Sequence, residues 1–115
     1  MDLTQKHCVP CEGGMPPLPQ EQEDELHKQV SDWLLLRDEG TTTVHKLRKL
    51  FKFDSFLQAV AFVDKIAPVA ESEKHHPDIY IFYNKVQLDL YTHAVGGLSE
   101  NDFIMAAKIN NLKAN

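Results

Sequence analysis

Cysteine is scarce in this chain: 115 residues hold only Cys8 and Cys11. With no disulfide framework, stability must come from a buried core, which one domain of this length can supply. The run His7-Cys8-Val9-Pro10-Cys11 offers half of a zinc site. A structural site needs four ligands and no second pair follows, so no metal or redox role is expected there. Long apolar runs are also missing. Nothing approaches the roughly 20 residues of a bilayer span, and Met1-Asp2-Leu3-Thr4-Gln5-Lys6 has no signal-peptide core. No membrane partner is expected, and a cytoplasmic location with reduced thiols is the default. Positive charge is in deficit, with 12 Lys and Arg against 17 Asp and Glu, net −5. That balance argues against a protein that coats nucleic acid directly. The single basic run, from His45 through Lys52, reads as the solvated face of a strand.

Glycine is sparse as well, at five residues, and four of the six prolines fall within residues 1–19 together with Gly13-Gly14. Residues 1–19 are therefore expected to form an irregular arm ahead of one domain spanning 20–115. A first helix begins at Gln20, with Leu26, Val30 and Trp33 at helical spacing beyond an acidic first turn of Glu21, Glu23, Asp24 and Glu25. Trp33-Leu34-Leu35-Leu36-Arg37 reads as a short buried strand, Asp38-Glu39-Gly40 as a turn, and residues 41–53 as a second strand with Leu47, Lys49, Phe51 and Phe53 on one side. Asp54 is the expected N-cap of a helix whose Phe56, Leu57, Val60, Val63 and Ile66 form an apolar face. Pro68 should kink or end that helix. Gly96-Gly97 breaks the last strand, and Ser99 with Asp102 resembles a capping box for a final helix through about Leu112. Asp102 could equally face a site. The order α-β-β-α-β-β-α implies an α+β fold, a four-stranded antiparallel sheet with three helices on one face.

The strongest local signal is His75-His76-Pro77 followed by a hairpin. Its halves, Asp78-Ile79-Tyr80-Ile81-Phe82-Tyr83 and Lys85-Val86-Gln87-Leu88-Asp89-Leu90-Tyr91, are rich in β-branched and aromatic residues, with Asn84 at the turn. Antiparallel pairing returns Thr92-His93 to the neighbourhood of the histidine pair. In the second half Val86, Leu88, Leu90 and Thr92 share the core face, so His93 leaves that side or lies past the strand end. Histidine titrates nearest neutrality, and three of them around one hairpin suggest a proton-transfer pocket. Adjacent residues on a strand point to opposite faces, which makes His75 and His76 poor co-ligands for a metal. Glu71, Glu73 and Asp102 are candidate carboxylates to hold the imidazoles. His7, His27 and His45 are read as surface or satisfied residues.

Taken together, Glu73-Lys74-His75-His76-Pro77, Tyr83-Asn84-Lys85-Val86, Thr92-His93, Gly97-Leu98-Ser99 and Asp102 resemble the signature of the pterin-4a-carbinolamine dehydratases. Phe51-Lys52-Phe53-Asp54-Ser55-Phe56, Ala61-Phe62 and Trp33 extend the resemblance over about residues 21 to 112. The resemblance implies removal of water from a 4a-hydroxytetrahydropterin, the recycling step after aromatic amino acid hydroxylation, with no cofactor. It implies His75 and His93 as acid and base, with His76 and Pro77 shaping the substrate site and Thr92, Ala94 and Val95 bordering the pterin. Ile79 stands where animal members often have a large aromatic. The resemblance further implies a homodimer or homotetramer and a functional link to an aromatic amino acid hydroxylase. Animal relatives also act as dimerisation cofactors of a homeodomain transcription factor, so a non-catalytic binding module is the rival reading.

Overall fold

The computed structural model describes residues 2–10, 15–37 and 44–114. Three α-helices and four strands follow in the expected order: α1 (Gln20–His27), β1 (Leu34–Leu36), β2 (Lys46–Lys52), α2 (Phe56–Glu73), β3 (Asp78–Phe82), β4 (Lys85–Leu90) and α3 (Glu100–Ala114). The strands form one antiparallel sheet in the order β1-β2-β4-β3. The central pair, β2 and β4, is registered with Leu47 opposite Leu90 and Phe51 opposite Val86. Those four side chains and Leu88 are buried on the covered face. Against them lie Ala59, Phe62, Ile66 and Ala70 of α2 and the unbroken buried run from Phe103 to Ala107 of α3. A helix buried on nearly every side has neighbours all round. The 3-10 turn Leu3–Gln5 and α1 supply the outer cover of α3.

Several local expectations shift. Trp33 is buried, its indole N–H donating to Asn110 Oδ1 at 2.9 Å, but β1 itself is an edge strand with Leu34 60 % exposed. The cap of α2 is Ser55, whose hydroxyl accepts from the Gln58 N–H, while Asp54 offers its own N–H to the Gln58 side chain. Phe56 and Leu57 stand in solvent, so the buried stripe of α2 is carried by smaller and later residues. Helix α2 does not end at Pro68 but continues to Glu73. The proline lies on the exposed face, where water can serve the carbonyl that its missing N–H leaves free. The hairpin turn is Tyr83-Asn84, with Tyr83 rather than Asn84 at positive φ (56°). Asn84 instead ties the turn to the end of β2: its side chain donates to the Phe53 carbonyl and its own carbonyl accepts the Phe53 N–H, both at 2.9 Å. The turn expected at Asp38-Glu39-Gly40 and the strand start at residues 41–43 lie outside the described residues, as does Cys11.

The segment before α1 is not loose where it is described. Leu3 is 1 % exposed within the main core, and Leu18 donates its N–H to the Leu98 carbonyl. Glu23, one of the acids of the first turn, also has tertiary partners. It is fully buried, with Arg37 on one oxygen at 3.1 Å and His45 on the other at 2.8 Å. His27 bonds the Trp33 carbonyl at 2.6 Å. His27 and His45 are thus satisfied structural side chains.

Candidate functional site

His75 is set by the way α2 ends. Lys74 adopts the left-handed conformation (φ 55°), and the backbone N–H groups of Lys74 and His75 close on the carbonyls of Glu71 and Ala70. This is the Schellman arrangement, in which glycine is the usual left-handed residue. A lysine there costs of the order of 1 kcal/mol, and the turn aims the next side chain back across the helix end. His75 then meets α3: its Nε2 lies 2.6 Å from Asp102 Oδ1. Asp102 is completely buried. Its second oxygen accepts the Ser99 N–H at 3.0 Å and the Thr92 hydroxyl at 2.8 Å. Asp102 therefore has both roles its spacing allowed, capping α3 through Ser99 and holding an imidazole.

An anionic acceptor on Nε2 selects the tautomer that carries its proton there, and Nδ1 is left for a ligand. Among the described residues Nδ1 has no partner. The ring opens on a cleft of about 350 Å³ that Thr92 and Ala94 also line, within the range of small-molecule sites. The N-terminal residues Cys8, Val9 and Pro10 form another side of this cleft, with Glu73, Lys74 and Asn101. Burial, then the Glu73 and Asp102 carboxylates, push the Cys8 thiol up to about 12, so it is neutral.

The three histidines are not brought into that one cleft. After Thr92 the chain enters a 3-10 turn, His93–Val95, closed by Gly96 at φ 69° and by paired hydrogen bonds between Thr92 and Gly97. His93 is past the strand end and exposed. Its Nε2 lies 2.9 Å from the Tyr91 hydroxyl, and it lines a neighbouring cleft of about 230 Å³ with Tyr91, Lys46, Val44 and Gly96. The same short turn thus gives Ala94 to one cleft and His93 to the other. His76 points outward, 3.6 Å from Glu71 Oε1, with both side chains more than half exposed. That separation is an ion-pair distance rather than a hydrogen bond. Pro77 is half-buried behind it, and Val95 is buried.

Glu73 holds neither His75 nor His76. One oxygen accepts the Cys8 N–H at 2.7 Å, the other lies 2.9 Å from His7 Nδ1, and Lys108 is 3.6 Å away. Burial works to raise its pKa, but the Cys8 N–H, His7 and Lys108 outweigh it and hold the carboxyl below its usual value. Sequence reasoning missed Asn101, Tyr91 and the N-terminal wall. No local pattern announces a residue that bonds a segment 92 positions away. Among the described residues no three His, Cys, Asp or Glu side chains converge as metal ligands, and no helix is long and apolar enough to cross a membrane.

Comparison with known proteins shows which family the chain and its fold resemble. The family model for pterin 4 alpha carbinolamine dehydratase matches residues 16–112. A protein of Nitrosospira multiformis named "Putative pterin-4-alpha-carbinolamine dehydratase" is 50 % identical over 96 % of this chain and 92 % of its own length. One of the same name from Halorhodospira halophila is 42 % identical over 99 % of this chain and 100 % of its own. Among solved structures, the transcriptional coactivator/pterin dehydratase from Brucella melitensis superposes with a TM-score of 0.73 at 29 % identity, over 84 % of this chain and 97 % of that one. A pterin dehydratase-like protein described as a RuBisCO assembly factor in the alpha-carboxysome gives 0.54 at 28 % identity, over 69 % and 89 %. By sequence and fold, this chain belongs to the pterin 4 alpha carbinolamine dehydratase family.

Proposed function

We propose that the protein removes water from 4a-hydroxytetrahydropterin to give quinonoid dihydropterin, in tetrahydropterin recycling linked to an aromatic amino acid hydroxylase in the cytoplasm. The carbon–oxygen bond of the carbinolamine breaks with its electron pair going to oxygen, which takes a proton and leaves as water. The neighbouring nitrogen gives up its proton, and the freed pair forms the carbon–nitrogen double bond. The elimination involves no net oxidation or reduction, and both proton movements are general acid–base work suited to imidazole. The observation that carries the reading is the buried Asp102 on His75 Nε2 at 2.6 Å, beside a cleft of ligand size. His75 is the first acid–base group, with Asp102 orienting it. His93 supplies the second, reached when substrate bridges the turn between the two clefts. His76 and Pro77 border the substrate, and Thr92, Ala94 and Val95 shape the turn under it. Glu71 acts through His76, 3.6 Å away.

A dehydratase assay on chemically generated carbinolamine, measured above the uncatalysed rate, tests this. His75→Ala and His93→Ala should each slow dehydration by ~10²-fold or more while the fold persists, and His76→Ala should raise KM more than it lowers kcat. A folded His75→Ala/His93→Ala double variant as fast as wild type would end the enzyme reading.

The exposed edge β3 favours an oligomer as the working form. Tyr80 and Phe82 are stacked at 6.4 Å and 44 % and 55 % exposed, and Ile79 and Ile81 are each 38 % exposed. An apolar open edge invites pairing with another strand, here that of a second copy, giving a homodimer or homotetramer. A binding module using this edge is the alternative function, and it would survive loss of both histidines. Tyr80→Lys should shift the mass measured by light scattering towards the monomer.

A further inference from the structure

Residues 6–10 are held against the domain by three side chains from α2 and α3, those of Glu73, Glu100 and Asn101. Lys6 pairs with Glu100 at 2.8 Å. Glu73, at the end of α2, takes the Cys8 N–H on one oxygen and His7 on the other, with Lys108 close by. Asn101, in the first turn of α3 and 5 % exposed, pairs in both directions with the backbone of Val9: Oδ1 accepts the N–H at 3.0 Å and Nδ2 donates to the carbonyl at 2.6 Å. Two adjacent residues are thus clamped from two helices. The clamps lie immediately beside the catalytic pair, since Glu73 is two residues before His75 and Asn101 one before Asp102. The outcome is that Cys8, Val9 and Pro10 line the same cleft as His75 and Thr92.

Resting on the dehydratase reading, we propose that Cys8, Val9 and Pro10 form a built wall of the substrate cleft that contacts the pterin, with Glu73 and Asn101 as positioning residues that act through it. The chemistry is suited to one face of a flat heterocycle. A neutral thiol, a valine side chain and a proline ring present apolar surface and no charge, in a cleft whose polar lining includes His75 and Thr92. Backbone clamping removes the ordering cost that a free arm would add to binding. The wall therefore acts on affinity and on which pterins are accepted, and leaves the acid–base step to His75.

The test uses the full chain and two readouts. Asn101→Ala and Glu73→Ala should each raise KM about 10-fold with kcat within about 3-fold of wild type. Glu73→Gln, whose amide oxygen can still accept the Cys8 N–H, should recover most of that loss. Val9→Gly and Pro10→Ala keep every clamp, and they should raise KM several-fold even if an alanine variant fails to fold. The second readout is alkylation of Cys8 by iodoacetamide in a Cys11→Ser background. Saturating 7,8-dihydrobiopterin should slow it at least fivefold, and Asn101→Ala should speed it. An active wild type whose folded wall and clamp variants keep their KM, or whose Cys8 labels equally fast with the pterin bound, overturns the wall and spares the dehydratase. A wild type with no turnover above background removes both.

Discussion

Replacing Asp102 by asparagine should separate the two tasks of that carboxylate. Both oxygens are occupied: Oδ1 faces His75 Nε2, and Oδ2 accepts the Ser99 N–H and the Thr92 hydroxyl. Asparagine keeps the shape but has one acceptor. The Ser99 N–H can only donate, so the amide oxygen is drawn to the Oδ2 position, which keeps the helix cap and leaves the Thr92 hydroxyl an acceptor. The amide NH₂ then faces Nε2. Two N–H groups cannot share a 2.6 Å contact, so the ring must move its proton to Nδ1 and accept at Nε2. The nitrogen left to the cleft turns from base to donor. Folding should lose only about 1–2 kcal/mol, the exchange of charge-assisted hydrogen bonds for neutral ones. Dehydration should fall ~10²- to 10⁴-fold, about 3–5 kcal/mol of transition-state stabilisation. Asp102→Ala differs in kind. It leaves His75 Nε2–H and the Ser99 N–H without their acceptor, at about 1–3 kcal/mol each, while the Thr92 hydroxyl keeps Ser99 Oγ at 2.8 Å, and it should damage the fold itself. Stopped-flow dehydration, thermal unfolding and the nitrogen-15 shifts of the His75 ring measure the three quantities. A folded asparagine variant within threefold of the wild-type rate, or one whose His75 still carries its proton on Nε2, would refute the reasoning.

Lys74→Gly should raise the melting temperature, since glycine takes the left-handed turn that lysine holds at a cost of about 1 kcal/mol; the readout is calorimetry, and a lower melting temperature would place the stability of that turn in the lysine side chain. Arg48→Ala should destabilise by roughly 3–5 kcal/mol in urea unfolding, because it strands Asp89, which is 2 % exposed and held by Arg48 at 2.7 Å, while Arg48→Met/Asp89→Leu should cost less. Glu73 has a lowered pKa in the folded chain, so its contribution to stability is complete above the ordinary carboxylate value of 4.5 and is lost as pH falls through the native value. The stability gap between wild type and Glu73→Gln should therefore be full at pH 7 and shrink only once pH drops below about 4.5; a gap that already shrinks between pH 7 and 5 would refute the role given to the Glu73 carboxylate.

Much of the site lies within reach of local reading. Pro77 after two histidines, alternation along residues 78–90, and Ser99 spaced three before Asp102 are short-range patterns, and short-range sterics enforce them. Those patterns placed the hairpin and the helix order and included Asp102 among three candidate acids, Glu71, Glu73 and Asp102, without choosing the one that meets His75. They could not say which histidines share a cleft. That depends on a 3-10 turn after Thr92, whose paired bonds to Gly97 and whose Gly96 at positive φ direct His93 one way and Ala94 the other.

By itself, the sequence determined the order of elements, the sheet's covered face and the residues able to do proton chemistry, because each depends on periodicity or residue type within a few positions. Tertiary structure alone decided the partners. Glu23, read only as part of an acidic first turn, is buried between Arg37 and His45 in the folded chain. Glu73, placed two residues from His75, is claimed by a chain segment 65 positions earlier. Residues 8–10 line the cleft because Leu3 has a core to enter and Asn101 has the Val9 backbone to bind. Such contacts form only when burial makes an unpaired polar group costly, and that cost exists only in the folded chain.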